Sequence, residues 1–374
     1  MSMNVSFLLG AGFSVPMGYP IGNSMEHKIS ELLFKLIQEF NAHPTPYGKY
    51  PLILQEIIKN YTDKHIGFNY EEVYEYIDFC CSDERIGCKL NDIWQGKRPI
   101  KEYAYEFKNE YQRYICSLIK DENGKQFYIA QDVEHLSKYE KFIALLKDLL
   151  DRDYEINIHT LNHDLLFESF RNSGLIGNEI CDGFDYENSP YRAKNGENEF
   201  LLPYYNEVYG KRIRLYKLHG SIDQYKYYKG GVHMIYDNHI KMSDTVDRDE
   251  KLCKLENGKI TDVFYFRDLH PDFLTGTYSK IEEYVKNPLC RKLLPLFEEN
   301  LKKADSLIII GYGAKDDGIN EQIRTNFDHN KKTCFIFDPF PSECLKNFAA
   351  DIGAQPIIEK SVVDFELPNS FFSL

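Results

Sequence analysis

Apolar positions along this chain recur with two periods, one suited to strands and one to helices. A short apolar run from Val5 to Leu9 stops at Gly10-Ala11-Gly12-Phe13-Ser14. After the loop Gly18-Tyr19-Pro20-Ile21-Gly22, either Asn23 or Ser24 can cap a helix. Ile29, Leu32, Leu33, Leu36, Ile37 and Phe40 then fall at helical spacing. The stretch from about 41 to 150 reads as mostly helical. Val73, Ile77, Cys80 and Cys81 mark one helix there, and Leu136, Phe142, Ile143, Leu145, Leu146, Leu149 and Leu150 mark another. It carries no sharp motif, so residues 25–150 are expected to form a helical subdomain inserted into an α/β core.

The core is expected to occupy residues 1–24 and 151–374. Ile156 and Ile158 alternate with polar residues in a strand ending at Thr160-Leu161-Asn162-His163-Asp164, and Leu165, Leu166, Phe167 and Phe170 begin a helix closed by Gly174. Ile213, Leu215 and Leu218 alternate in another strand, ending at His219-Gly220-Ser221-Ile222-Asp223. Residues 223–285 are polar and Tyr-rich, and read as an irregular insertion. A helix from Pro288 to Ala304 should kink at Pro295. Ser306–Ile310 is a strand buried on both faces, followed by Gly311-Tyr312-Gly313. Cys334–Phe337 is a last strand, ending at Asp338-Pro339. Strands alternating with helices predict an α/β fold, with a doubly wound, mostly parallel, Rossmann-like sheet. The glycine-rich and polar segments all follow strands. In such sheets those carboxyl ends form the ligand crevice.

Composition narrows the function classes. The chain has 374 residues, 43% of them hydrophobic, enough for a large core without disulfide staples. Its 45 Lys+Arg against 58 Asp+Glu leave a net charge of −13, which argues against direct binding to a nucleic-acid backbone. No apolar run reaches the roughly 18 residues of a membrane span. The first residues lack the basic and apolar regions of a secretory signal. Nine cysteines without a C-x-x-C pair point to reduced thiols in the cytoplasm and to no zinc ribbon.

Several residues have chemistry that suits such a crevice. Gly10, Ala11, Gly12 and Ser14 follow the first strand, where exposed amides can hold a pyrophosphate. The dinucleotide fingerprint would need glycine at position 15, which is valine. Asn162 and Asp164 end the next strand; their plain alternative is helix capping. His163 reads as a loop residue and His159 as a packed or surface one. His219 follows another strand, and a histidine's unperturbed pKa near 6.5 suits a general base. Gly311 and Tyr312 form a turn that could face ribose or phosphate, and Asp338 could hold ribose hydroxyls or cap a turn. Asp316 and Asp317 open a helix, where acidic residues are expected anyway.

These segments, in this order, resemble the sirtuin-like superfamily, and its bacterial branch in particular. The resemblance covers roughly 1–24, 154–224 and 304–340. It implies that Gly10, Ala11, Gly12 and Ser14 line NAD, that Asn162 and Asp164 approach the nicotinamide ribose, that His219 is the active-site histidine, and that Gly311 and Tyr312 belong to the later glycine turn. The family's deacetylases carry a four-cysteine zinc module after the His-Gly motif. Here residues 220–304 hold only Cys253 and Cys290, and Gly18-Tyr19-Pro20-Ile21-Gly22 replaces the deacetylases' cofactor loop. Members of this kind resemble NAD-consuming effectors of anti-phage defence.

The expectation is therefore an NAD glycohydrolase that takes NAD as substrate, uses no zinc, and releases nicotinamide and ADP-ribose. A protein deacylase and a non-catalytic NAD- or ADP-ribose-binding subunit are the alternatives. Because unregulated NAD loss would kill the host, control by homo-oligomer assembly or by a separate activating partner, such as an ATPase or an Argonaute-like protein, is expected.

Overall fold

Short strands buried on both faces build the centre of the molecule. The computed structural model describes residues 3–20, 23–43, 48–65, 68–119, 136–195, 197–229, 235–242, 251–264, 271–273, 284, 286–368 and 371–372. Strand β1 is Asn4–Leu9, β2 Glu155–Thr160, β3 Ile180–Cys181, β4 Phe184–Asp185, β5 Tyr191–Asn195, β6 Asn198–Leu201 and β7 Tyr204–Tyr205. They are followed by β8 Ile213–Lys217, β9 Gln224–Lys229, β10 Ile235–Lys241, β11 Lys251–Glu256, β12 Lys259–Phe264, β13 Ser306–Ile310 and β14 Thr333–Phe337. Six of these form one parallel sheet in the order β14-β13-β1-β2-β8-β3.

Successive residues of the sheet feed two different cores. Val5, Phe7, Leu9, Ile156, Ile158, Ile308, Ile310, Phe335 and Phe337 enter one, whereas Leu8, Leu307, Ile309, Cys334 and Ile336 enter the other. Helices cover both faces. On the first lie α1 (Asn23–Ala42), α2 (Lys49–Thr62), α3 (Tyr70–Ser82), α4 (Glu84–Trp94), α5 (Ala104–Leu118), α6 (Glu140–Asp151) and α7 (Leu166–Asn172). On the second lie α8 (Cys290–Lys303), α9 (Asp317–Asn326) and α10 (Glu343–Asp351). This is a doubly wound, Rossmann-like α/β fold. β13 is buried at all five positions, as its unbroken apolar sequence predicts. The chain moves outward from β1 through β2 to β8, then returns to β13 on the other side of β1. The direction of winding thus reverses between β1 and β13, and their carboxyl ends flank the crevice of the sheet.

Several expectations change. Helix α1 begins at Asn23, so Ser24 lies inside the helix rather than capping it. The segment after Gly10 is two single turns of 3-10 helix, Ala11–Phe13 and Val15–Met17, so no long helix dipole points at that turn. Residues 223–285 are not simply irregular: their described parts include β9, β10, β11 and β12. With β4, β5, β6 and β7 they make two four-stranded antiparallel sheets around a small core of Tyr191, Ala193, Leu202, Tyr227, Ile240, Met242 and Leu252. Register shifts at Tyr236/Asn238 and Lys254/Leu255 break the alternation that would have revealed these strands. Part of 223–285 lies outside the described residues. All nine cysteines carry free thiols, and among the described residues no helix is long and apolar enough to cross a membrane.

Candidate active site

The floor of the crevice is backbone packed on backbone. Gly10 donates its N–H to Ile310 O at 3.0 Å and Gly12 donates to Gly311 O at 2.9 Å. A Cβ on Gly10 would lie 2.5 Å from Gly311 O, and one on Gly311 would lie 2.4 Å from Phe13 N. Gly311 also has φ +61, a left-handed conformation that favours glycine. The glycines are thus required for the turns after β1 and β13 to touch. The amides of Gly10, Gly12, Phe13 and Ser14 are all spent on backbone carbonyls. Ala11 is the exposed residue of this turn.

Asn162, at the end of β2, reaches across to that turn. Its Nδ2 donates to Gly10 O and to Ser14 Oγ, both at 2.9 Å. The carbonyl of Gly10 can only accept, which fixes the amide's orientation. The Oδ1 of Asn162 is left without a hydrogen bond among the described residues, on a half-buried side chain. Ser14 passes the chain on by donating to Asp164 Oδ2 at 2.7 Å, and Leu166 N–H donates to Asp164 Oδ1 at 3.0 Å. Asp164, two residues before α7, thus holds the Leu166 amide and anchors Ser14, with both carboxylate oxygens engaged by the protein. Burial raises its pKa, while Lys217, the Ser14 hydroxyl and the Leu166 amide act in the opposite direction. Ser14 is itself 2% exposed, so its hydroxyl organises the site from within.

The loops after β2 and β8 are laced together. Lys217 donates to the carbonyl of Asp164 and lies 3.4 Å from Glu168. Ile222 N–H donates to His163 O at 3.0 Å. Burial pushes Glu168 upward, but Lys217 and Lys241 outweigh it and hold its carboxyl below the usual range. Sequence reading passed over Lys217, which looked like one more polar residue of an alternating strand.

His219, just beyond β8, is 2% exposed. Its Nε2 shares a 2.6 Å hydrogen bond with Tyr284 Oη and lies 3.2 Å from Asp316 Oδ2. His163 stands 6.2 Å away, ring to ring, and packs on Phe273 at 4.5 Å. Gly220, with φ +77, is required by close packing: a Cβ there would lie 2.4 Å from Asp272 O. Neither Tyr284 nor the role of Asp316 was legible. Tyr284 comes from a stretch without periodicity, and Asp316 looked like a helix-opening acid, which it also is: its Oδ1 accepts Ile319 N–H at 3.0 Å.

The Tyr312 side chain sits away from the crevice, and Asp338 takes the turn-capping one of its two readings. The Tyr312 side chain is 4% exposed within the second core, and its hydroxyl donates to Asn320 Oδ1 at 2.8 Å and Asp316 O at 3.1 Å. Only its backbone borders the Gly10 turn. Asp338 closes β14 at the sheet's edge and accepts Phe340 N–H at 2.8 Å, the turn-capping alternative. His159 is wholly buried, with Nδ1 at 3.1 Å from Phe7 O and Nε2 at 3.1 Å from Asn300 Nδ2. Burial lowers its pKa to about 3.

The structure therefore brings together Gly10, Ala11, Gly12, Ser14, Asn162, Asp164 and Gly311 around the end of β1, and puts His219 beside Asp316 at the end of β8. A separate cavity of about 1040 Å³, lined by Glu168, Arg171, Asp182, Asp223 and Lys241 among others, includes none of the expected site residues. Among the described residues, no three His, Cys, Asp or Glu side chains are grouped to hold a metal ion.

No family model matches the chain, and no curated protein matches its sequence. Among solved structures, one described as "The Structural basis of Sirtuin Substrate Affinity" aligns over 97% of this chain and 91% of its own, at 13% identity and a TM-score of 0.39.

Proposed function

We propose that this chain hydrolyses NAD to nicotinamide and ADP-ribose. The observation that carries the reading is the amide of Asn162. Its donors are locked by Gly10 O and Ser14 Oγ, so its acceptor is left for a ligand, in the crevice where winding reverses. The ordered resemblance of the Gly10–Ser14, Thr160–Asp164, Lys217–Asp223 and Ile308–Gly313 segments to sirtuin-like proteins supplies the substrate.

Chemically, the bond from the anomeric carbon to nicotinamide breaks, and its electron pair leaves with the nicotinamide. A water oxygen bonds to that carbon and loses a proton. Asn162 Oδ1 accepts a hydrogen bond from a ribose hydroxyl or from the attacking water, orienting it. His219 takes the proton; such transfers contribute about 10²- to 10⁴-fold. Ser14 and Asp164 hold Asn162 in place rather than touching the ribose. For substrate to reach His219, the contact of Tyr284 with its Nε2 has to open. A resting protein with a covered histidine fits an effector of anti-phage defence that stays silent until triggered. Assembly of copies, or a separate ATPase or Argonaute-like partner, would supply the trigger.

The test is product analysis by mass spectrometry after incubation with NAD, with and without an acyl-lysine peptide. Equal amounts of nicotinamide and ADP-ribose without peptide, reduced at least about 100-fold in Asn162→Ala and His219→Ala, are expected. Nicotinamide release only with the peptide would instead identify a deacylase. Calorimetric binding of NAD without any product, in the presence of candidate partners, would identify a binding subunit.

A further inference from the structure

We propose that the cavity of about 1040 Å³ beside the parallel sheet is a binding site for an aliphatic polyamine, separate from the crevice at Gly10 and Asn162.

Its walls come from four parts of the chain: α7 with Glu168 and Arg171, the segment from β3 to β4 with Asp182, β6 with Leu201, and Asp223 beside Lys241. The edge strand of the parallel sheet and the antiparallel strands thus meet over a hollow instead of a packed core. Its size is at the upper end of small-molecule pockets.

The inner charges are settled among themselves. Lys241 Nζ lies 2.7 Å from Asp182 Oδ2, 3.2 Å from Asp223 Oδ2 and 3.3 Å from Glu168 Oε1. Arg171 lies 3.6 Å from Asp182 and packs over the Tyr186 ring at 4.4 Å. Burial pushes the Asp182 carboxyl upward, but Lys241 and Arg171 outweigh it and hold it at about 2, so it is ionised at neutral pH. With both cations spent on carboxylates, the cavity has little to offer an anion.

What remains is acidic and apolar. Six carboxylates line the cavity against three cationic side chains. Asp223 is 7% exposed, and its Oδ1 has no hydrogen bond among the described residues. A buried carboxylate oxygen without a donor is costly, and an ammonium N–H is the donor that best relieves it. Asp185 and the exposed Glu187 add negative charge nearer solvent. Leu201 and Val208 line the same hollow while 36% and 60% exposed. Methylenes laid on these side chains bury apolar surface, and ammonium groups along the same chain meet the carboxylates. A bare cation supplies only the second.

Calorimetry on the whole chain with spermidine, at physiological ionic strength, tests this. One-site binding is expected. It should weaken at least about 10-fold in Asp223→Asn, which keeps the side chain's shape and removes its charge. Leu201→Lys places a like charge at the exposed lip without touching a buried pair, and should weaken binding at least about threefold. Glu343→Gln removes an acid that is 81% exposed and outside the cavity, and should change nothing. Triacetylated spermidine, with the methylenes but no charge, should not bind. Equal binding in all four proteins would show only diffuse attraction to the net charge of −13 and would overturn the proposal, as would no binding to the wild type. Tighter binding of trilysine than of spermidine would assign the hollow to lysine side chains of a protein and overturn the free amine. Where Asp223→Asn does not fold, Leu201→Lys decides. NAD does not enter the measurement, so the hydrolase reading can fail without affecting the result.

Discussion

His159 lies within β2 and His219 just beyond the neighbouring strand β8, and both are buried. His159 Nδ1 lies on a carbonyl and Nε2 on an amide N–H, which is the bonding of a neutral imidazole. Its pKa of about 3 lies below the roughly 6.5 of an unfolded histidine. Between those values the unfolded chain binds a proton that the folded chain refuses. Stability from this residue is thus fully present above about pH 6.5 and is lost as pH falls toward about 3. The slope is about 1.4 kcal/mol per pH unit. Gln offers the same donor and acceptor without titrating. His159→Gln is expected to remove one proton's worth of slope between pH 6 and 4 in urea melts, and an unaltered slope would disprove the assignment.

Turns decide the site at the level of elements. The turn after β1 and the turn after β13 touch through Gly10, Gly12 and Gly311. Gly313 belongs to the same Gly-Tyr-Gly segment, but its added Cβ would meet nothing nearer than Lys315 Cγ at 4.0 Å. The two glycines of one motif therefore differ physically. Gly311→Ala combines a left-handed backbone, costing about 1–2 kcal/mol, with overpacking of about 1–3 kcal/mol. Gly313→Ala is expected to stay within about 0.5 kcal/mol of the parent. Denaturant midpoints at constant m-value distinguish them. Two equal effects would mean that the close approach of β1 and β13 is wrong.

Across the whole molecule, the closed state of His219 is the feature with consequences. A protein whose histidine is covered by Tyr284 and Asp316 should turn over NAD slowly in isolation and faster once assembled or partnered. Light scattering on a sizing column, with turnover measured across the peak, tests this. Full activity in a lone monomer would contradict regulation by assembly or by a partner. Salt is expected to have little effect on the ion pairs behind the site. Lys217, Lys241, Glu168 and Asp182 are each at most 5% exposed, and buried pairs are weakly screened. Lys217→Met would leave Glu168 with less compensation and is expected to cost about 3–5 kcal/mol.

The sequence alone determined the alternation of strands and helices, the unbroken apolar β13, and the placing of each polar segment after a strand. These follow from local periodicity and from the short-range chemistry of glycine, asparagine and aspartate. The placing of Asn162 after β2 and of His219 after β8 was legible because a strand's carboxyl end is a position that sequence reveals. Tertiary structure decided everything that depends on a partner distant in the chain. Ser14 meets Asp164 across 150 residues, and Asn162 meets Gly10 across 152. Tyr312 proved to be a buried brace, Asp338 a turn cap, and Asp316 the neighbour of His219. Each of those side chains has the same local signature whichever way it points. Only the packing of β1, β2, β8 and β13 settles the direction, because packing determines which polar atoms are buried and must find partners.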